Sequence, residues 1–125
     1  MNVLDSSGWL EYFTDDKHAD VFEPIIENGE NLMVPSICFY EVYKVLNREL
    51  GKSKALDGIA LMANGKEVSV DQELALTAAQ INAEHGLPMA DSMIYAIAKK
   101  YDAILWTLDS DFEGLPGVNY FSKKN

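Results

Sequence analysis

Residues 89–112 read MADSMIYAIAKKYDAILWTLDSDF, and this stretch decides the fold. Its first half places Asp91, Ile94, Tyr95 and Ala98 at i, i+3, i+4 and i+7, the spacing of one helix face. Pro88 suits a helix start, so a helix is expected from there to about Tyr101. Residues 103–106 are then apolar without a break, as in a strand buried on both faces. Acids return at once, with Asp109 and Asp111 flanking Ser110. A helix feeding an apolar strand with an acidic exit is the unit of a helix-covered parallel sheet.

The same alternation extends in both directions. A short strand at 3–4 ends at Asp5 and turns into a helix over 7–13. A second short helix over 19–27 is closed by Asn28-Gly29, and a strand at 32–34 is stopped by Pro35. Ser36 is then expected to cap a long helix that Gly51 ends. A helix over 54–63, a turn at Asn64-Gly65 and a strand over 67–70 follow. Asp71 caps a helix with Leu74, Ala78 and Ile81 on one face, ended by His85-Gly86, and a fifth strand is expected over 118–121. The expected fold is α/β, a three-layer sandwich around a central, mainly parallel sheet, in one domain spanning 1–125. Ligands of such sheets bind beyond the carboxyl ends of the strands, which sets Asp5 and Asp109 on one edge.

Composition narrows the chemistry. At 125 residues and 48% hydrophobic, the chain can bury a continuous core without disulfides, and Cys38 is its one cysteine. The opening MNVLDSSGWL lacks the basic and apolar regions of a signal peptide, and no run is long enough for a membrane span. A soluble, cytoplasmic protein is expected. Ten Lys and Arg against 20 Asp and Glu give a net charge of −10, the reverse of most nucleic-acid binders. That balance suits a solvated acidic surface, or carboxylates gathered at one site and neutralised by metal.

Each acid has an ordinary alternative. Asp5 could be a helix cap, although Ser6 or Ser7 could cap as well and leave it free. Glu41 shares a stripe with Ile37, Cys38 and Val45, where a lone carboxylate is costly unless paired with Lys44 or bound to metal. Asp91 could simply meet a helix dipole, yet it also lies on the face of Ile94 and Tyr95. Asp109 and Asp111 could belong to a turn. Together they form an oxygen-rich set suited to Mg2+ or Mn2+. His18 and His85 stand apart, so nothing suggests zinc, and there is neither a Gly-rich phosphate loop nor a G-x-S-x-G elbow. Cys38, on an apolar helix face, is expected to be structural.

VLDSS at 3–7, VPSICFYEVYKVL at 34–46 and LPMADSMIYAIAKKYDAILWTLDSDF at 87–112 resemble the PIN-domain family, and within it the VapC-type toxins. The resemblance covers nearly the whole chain. It implies a metal-dependent ribonuclease with Asp5, Glu41, Asp91 and Asp109 as catalytic, metal-holding acids and Asp111 as a further ligand. Ser6 and Thr107 match hydroxyl positions that support such sites. It further implies Mg2+ or Mn2+ as cofactor, RNA as substrate, cleavage to 5′-phosphate and 3′-hydroxyl ends, a homodimer, and a VapB-like antitoxin as partner. Sparse positive charge departs from the pattern, since Arg48 is the one arginine. Lys44, Arg48, Lys52 and Lys54 near the end of the long helix, and Lys99 and Lys100 at the end of the Asp91 helix, are either a solvated face that compensates helix dipoles or contacts for phosphate. For most of Trp9, Tyr12, Phe13, Phe39, Tyr40 and Tyr43 core packing is the expected role, and a groove for an antitoxin helix is the sharper alternative.

Two other readings fit part of the pattern. A phospho-receiver-like signalling domain shares the length, the alternation and Mg2+, but it needs paired acids after the first strand and a phospho-accepting Asp after a middle one. Only Asp5 fills the first place, and Asp71 faintly suggests the second. A PIN-like binding module without activity would not need the full acid set.

Overall fold

The computed structural model describes residues 1–123, so the last two positions of the expected domain lie outside the described residues. Five strands form one sheet: β1 (Asn2–Leu4), β2 (Leu32–Pro35), β3 (Lys66–Val68), β4 (Ile104–Thr107) and β5 (Val118–Tyr120). Their order across the sheet is β3-β2-β1-β4-β5, and every pairing is parallel. The expected mainly parallel sheet is thus wholly parallel. Six α-helices cover it: α1 (Ser6–Phe13), α2 (Ala19–Glu27), α3 (Ser36–Leu50), α4 (Lys52–Met62), α5 (Gln72–His85) and α6 (Met89–Lys100).

The chain steps outward from β1 through β2 to β3, then returns across the sheet to β4 and β5. Right-handed crossovers put the helices of the outward run on one face and those of the return on the other. Accordingly α1 packs on α2 and α3, and α3 on α4, while α5 and α6 pack on each other. Val3 sits opposite both Met33 and Leu105, and all three are at most 1% exposed. A short strand with such residues is stable only when both faces are covered. Among the described residues, no helix is long and apolar enough to cross a membrane.

Several boundaries depart from expectation for local reasons. Ser36 does not cap α3; it is the first helical residue, Pro35 occupies the cap position, and no side chain caps that end. α4 starts two residues early, at Lys52, because Gly51 at φ 92° turns the chain between two helices. β3 begins at Lys66 and ends at Val68, since its ladder with β2 pairs Lys66 with Met33 and Val68 with Pro35. Trp9 is wholly buried and belongs to the core rather than to a groove.

Gly8 fixes the approach of α1 to β1. A Cβ there would run into the side chain of fully buried Leu4, and the Gly8 amide is also a donor to Asp5. Alanine is ordinarily the better helix former by about 1 kcal/mol. Here Gly8→Ala is expected to lower stability by roughly 1–3 kcal/mol, as overpacking does, in urea unfolding of the metal-free protein. A stabilised variant would contradict this packing.

Candidate metal centre

The order of strands reverses between β1 and β4, and such a switch point opens a crevice at the carboxyl ends of the strands. Asp5 follows β1 directly, and its amide donates to the Trp106 carbonyl on β4 at 3.2 Å. Asp109 lies two residues beyond β4 and caps a 3-10 turn at Ser110–Phe112 through the amide of Asp111. Asp91 enters from the first turn of α6, and Glu41 from the middle of α3. Four elements remote in sequence therefore deliver acids to one rim.

Asp5 is only 2% exposed, and three donors hold its carboxylate. Oδ1 accepts from the Ser7 hydroxyl at 2.7 Å and the Gly8 amide at 3.1 Å, and Oδ2 accepts from Thr107 at 2.7 Å. Asp5 is thus the cap of α1 while it also stands at the acidic rim, so the expectation that a serine would release it from capping is corrected. The two serines serve different acids. Ser7 orients Asp5, while the Ser6 hydroxyl donates to Glu41 Oε1 at 2.6 Å. Thr107 and Ser7 also accept the amides of Asp109 and Leu108, at 2.8 and 3.1 Å. The exit of β4 is thereby tied to the start of α1. Ser7 was not foreseen in this role; its only sequence signal is a hydroxyl two residues after an acid that ends a strand.

Asp91, Asp109 and Asp111 each offer a carboxylate oxygen, all within 4.8 Å of one another. Asp5 and Glu41 stand outside that tight group, yet both charges are felt at Asp91. None of the ion pairs among the described residues involves any of the five acids. In particular Lys44 does not reach Glu41 but lies over the Tyr40 ring, 5.4 Å from its centroid. Lys99 and Lys100 sit at the far end of α6 from Asp91, over Tyr95 and Tyr101, and Lys100 pairs with Glu73.

Crowding is visible in the acidities. Burial raises Asp5 to about 6 against the lowering pull of Ser7, Thr107 and Gly8, and the charge of Asp109 adds to the rise. Asp91 rises to about 8 through burial, its hydrogen bond with Asp109, and the charges of Asp109, Asp5 and Glu41. Without a cation, burial and the neighbouring acids favour the neutral form of the Asp91 carboxyl. Burial and the neighbouring acids push the Cys38 thiol far up, so it is not a nucleophile. An all-oxygen donor set without a basic partner among the described residues, its acids pushed toward their neutral forms, fits a hard divalent ion.

Stability should then depend on pH with a definite sign. A raised acid binds more protons in the folded chain than in the unfolded one. Its stabilising contribution is complete below the unfolded value of 3.8 and is lost as pH climbs through about 6 for Asp5 and about 8 for Asp91. In EDTA, Tm is expected to fall between roughly pH 4 and pH 8, and Asp91→Asn to flatten that fall. Thermal unfolding by circular dichroism reads both, and a pH-independent difference between the two proteins is the contrary result.

The chain matches the model of the PIN domain over residues 3–118. No curated protein matches it. Its structure is similar to a toxin–antitoxin complex from Klebsiella pneumoniae, with TM-score 0.78 and 19% identity over 95% of this chain and 96% of that one. It is also similar to VapC20 of Mycobacterium tuberculosis, a sarcin-ricin loop cleaving toxin, with TM-score 0.80 and 17% identity over 94% and 97%. FitAcB from Neisseria gonorrhoeae gives 0.72 and 20% over 98% and 97%. At such identities these likenesses speak for the fold, but the family model covers most of the sequence. The chain belongs to the PIN domain family.

Proposed function

We propose that this protein is a Mg2+- or Mn2+-dependent endoribonuclease, the toxin of a prokaryotic toxin–antitoxin pair acting in the cytoplasm. The observation that carries the reading is the convergence of Asp91, Asp109 and Asp111 within 4.8 Å at the switch point where Asp5 is anchored, with no basic side chain among the described residues paired to any of them. Membership of the PIN domain family supports nuclease chemistry. The RNA-cleaving activity named for VapC20 supports RNA as the substrate.

Asp5, Asp91 and Asp109 would hold the ion, with Glu41 and Asp111 completing the acidic wall. A divalent ion there supplies a more acidic water and offsets charge on the attacking and leaving oxygens. The chain's own task is to present these carboxylates ionised and in fixed orientation. Ser7, Gly8 and Thr107 do so for Asp5, and Ser6 for Glu41. Lys44 and Arg48 follow Glu41 at i+3 and i+7 on α3 and would offer positive charge to a phosphate backbone on leaving the Tyr40 ring and Glu49 that they meet in the free chain. No covalent protein intermediate is required.

A VapB-like antitoxin fits a cleft of about 320 Å³ between α1, α3 and α4, walled by Tyr12, Phe13, Leu46, Leu50 and Leu61. The likeness to toxin–antitoxin complexes supports that partner. Leu76 on α5 and Met89 on α6, 61% and 69% exposed, support a homodimer through the opposite layer. The receiver reading is weaker, because Asp71 lies at the β3 edge and is engaged as a cap on the Leu74 amide.

Incubation with total RNA and Mn2+ should give discrete cleavage that EDTA stops. Asp5→Asn is expected to abolish it while leaving the far-ultraviolet circular dichroism unchanged. Thr107→Val, which removes a donor behind a ligand, is expected to cost roughly 10- to 100-fold in activity or metal affinity. Wild-type turnover by Asp5→Asn at saturating Mn2+ would reject the assignment.

A further inference from the structure

Beyond the acids, a cavity of about 480 Å³ opens at the carboxyl ends of β4 and β5, lined by Leu108, Ser110, Glu113, Tyr120, Ser122 and Lys123. It shares a wall with the metal centre, because Ser110 stands between Asp109 and Asp111. Its size falls in the range of small-ligand sites. We infer that this cavity is a nucleotide subsite, in which one unpaired base of the substrate strand stacks on Tyr120 and a flanking phosphate meets Lys123. The inference rests on the nuclease reading and adds to it how the strand is seated beside the acids.

Three observations support it. Tyr120 is half-buried, yet its hydroxyl makes no hydrogen bond and its ring joins none of the ring pairs among the described residues. Tyr95, by comparison, ties its hydroxyl to the Pro116 carbonyl and its ring to Phe112 and His85. An unengaged aromatic face on a strand end is the platform that single-stranded nucleic acids use. Lys123 is exposed and takes part in none of the ion pairs among the described residues, whereas Lys100 and Arg48 are paired. Behind the cavity, β5 is braced: Phe121 stacks on Trp106 at 6.0 Å and meets Phe22 edge-on, and the His18 ring bonds the Ser122 carbonyl at 2.9 Å. The platform is therefore rigid on its inner side and open on its outer one.

The test compares binding and turnover. Anisotropy of a labelled single-stranded decaribonucleotide is measured in an Asp5→Asn background, so that the strand is not cut. Adding Tyr120→Ala is expected to weaken binding roughly five-fold or more, with Tyr120→Phe restoring most of it. Lys123→Ala is expected to weaken binding and reduce the slope of log affinity against log salt by about 0.7. In the otherwise wild-type enzyme, Tyr120→Ala should raise KM by a larger factor than it lowers kcat, and its thermal unfolding controls for folding. If the wild-type chain cleaves RNA while Tyr120→Ala and Lys123→Ala bind like their parent, the subsite is wrong and the nuclease reading stands. Failure of Asp5→Asn to bind RNA beside an active wild type also overturns the subsite. If the wild-type chain cleaves no RNA with Mg2+ or Mn2+, the nuclease reading fails and the subsite falls with it.

Discussion

A carboxylate with 2% of its surface exposed should give up its charge, and Asp5 is kept from doing so fully by donors from Ser7, Gly8 and Thr107. The balance leaves it near 6, between an ordinary acid and a neutral one. The rest of the site follows from that arrangement. Thr107 can reach Asp5 only if β1 and β4 are neighbours, and the Leu4–Trp106 register makes them so. The same hydroxyl receives the Asp109 amide and so sets where the acid after β4 begins its turn. The buried network under the rim thus couples the sheet's strand order to the position of its acids.

The surrounding charge makes sense in the same terms. Like charges gathered without a basic partner store repulsion, and the Asp91 carboxyl relieves it by favouring its neutral form. A divalent ion relieves it better. The chain as a whole carries −10, so under the proposed nuclease reading distant electrostatics would work against holding RNA, and local features would have to compensate.

Much of this was legible in the sequence. The alternation of apolar strands and amphipathic helices placed every strand and α-helix of the described residues, but the unbroken apolar run before Asp109 overstated burial: Leu105 and Thr107 are buried on one face of β4, while Ile104 is 43% exposed and Trp106 half-buried on the other. The acids were nominated because each ended a strand or shared a helix face with apolar residues. What could not be read was pairing. Nothing in the local pattern says that Ser6 turns to Glu41 and Ser7 to Asp5, since adjacent helical residues point about 100° apart and their targets lie 35 and two positions away. Lys44 was a reasonable partner for Glu41 by spacing, but the Tyr40 ring holds it instead. Which of the aromatics would pack inside and which would line a groove was likewise open; the packing of α1 on the sheet puts Trp9 in the core. The cavity at β5 was invisible because it joins a turn after β4 to residues beyond β5.

Proton release on metal binding tests the central claim most directly. Titration calorimetry with Mn2+ near pH 7, repeated in buffers of different ionisation enthalpy, counts the protons displaced. With Asp91 at about 8, the account predicts saturable binding that expels about one proton per chain, and loss of that proton in Asp91→Asn. Binding without proton release, or release that persists in Asp91→Asn, would show that the acids do not share one cation site.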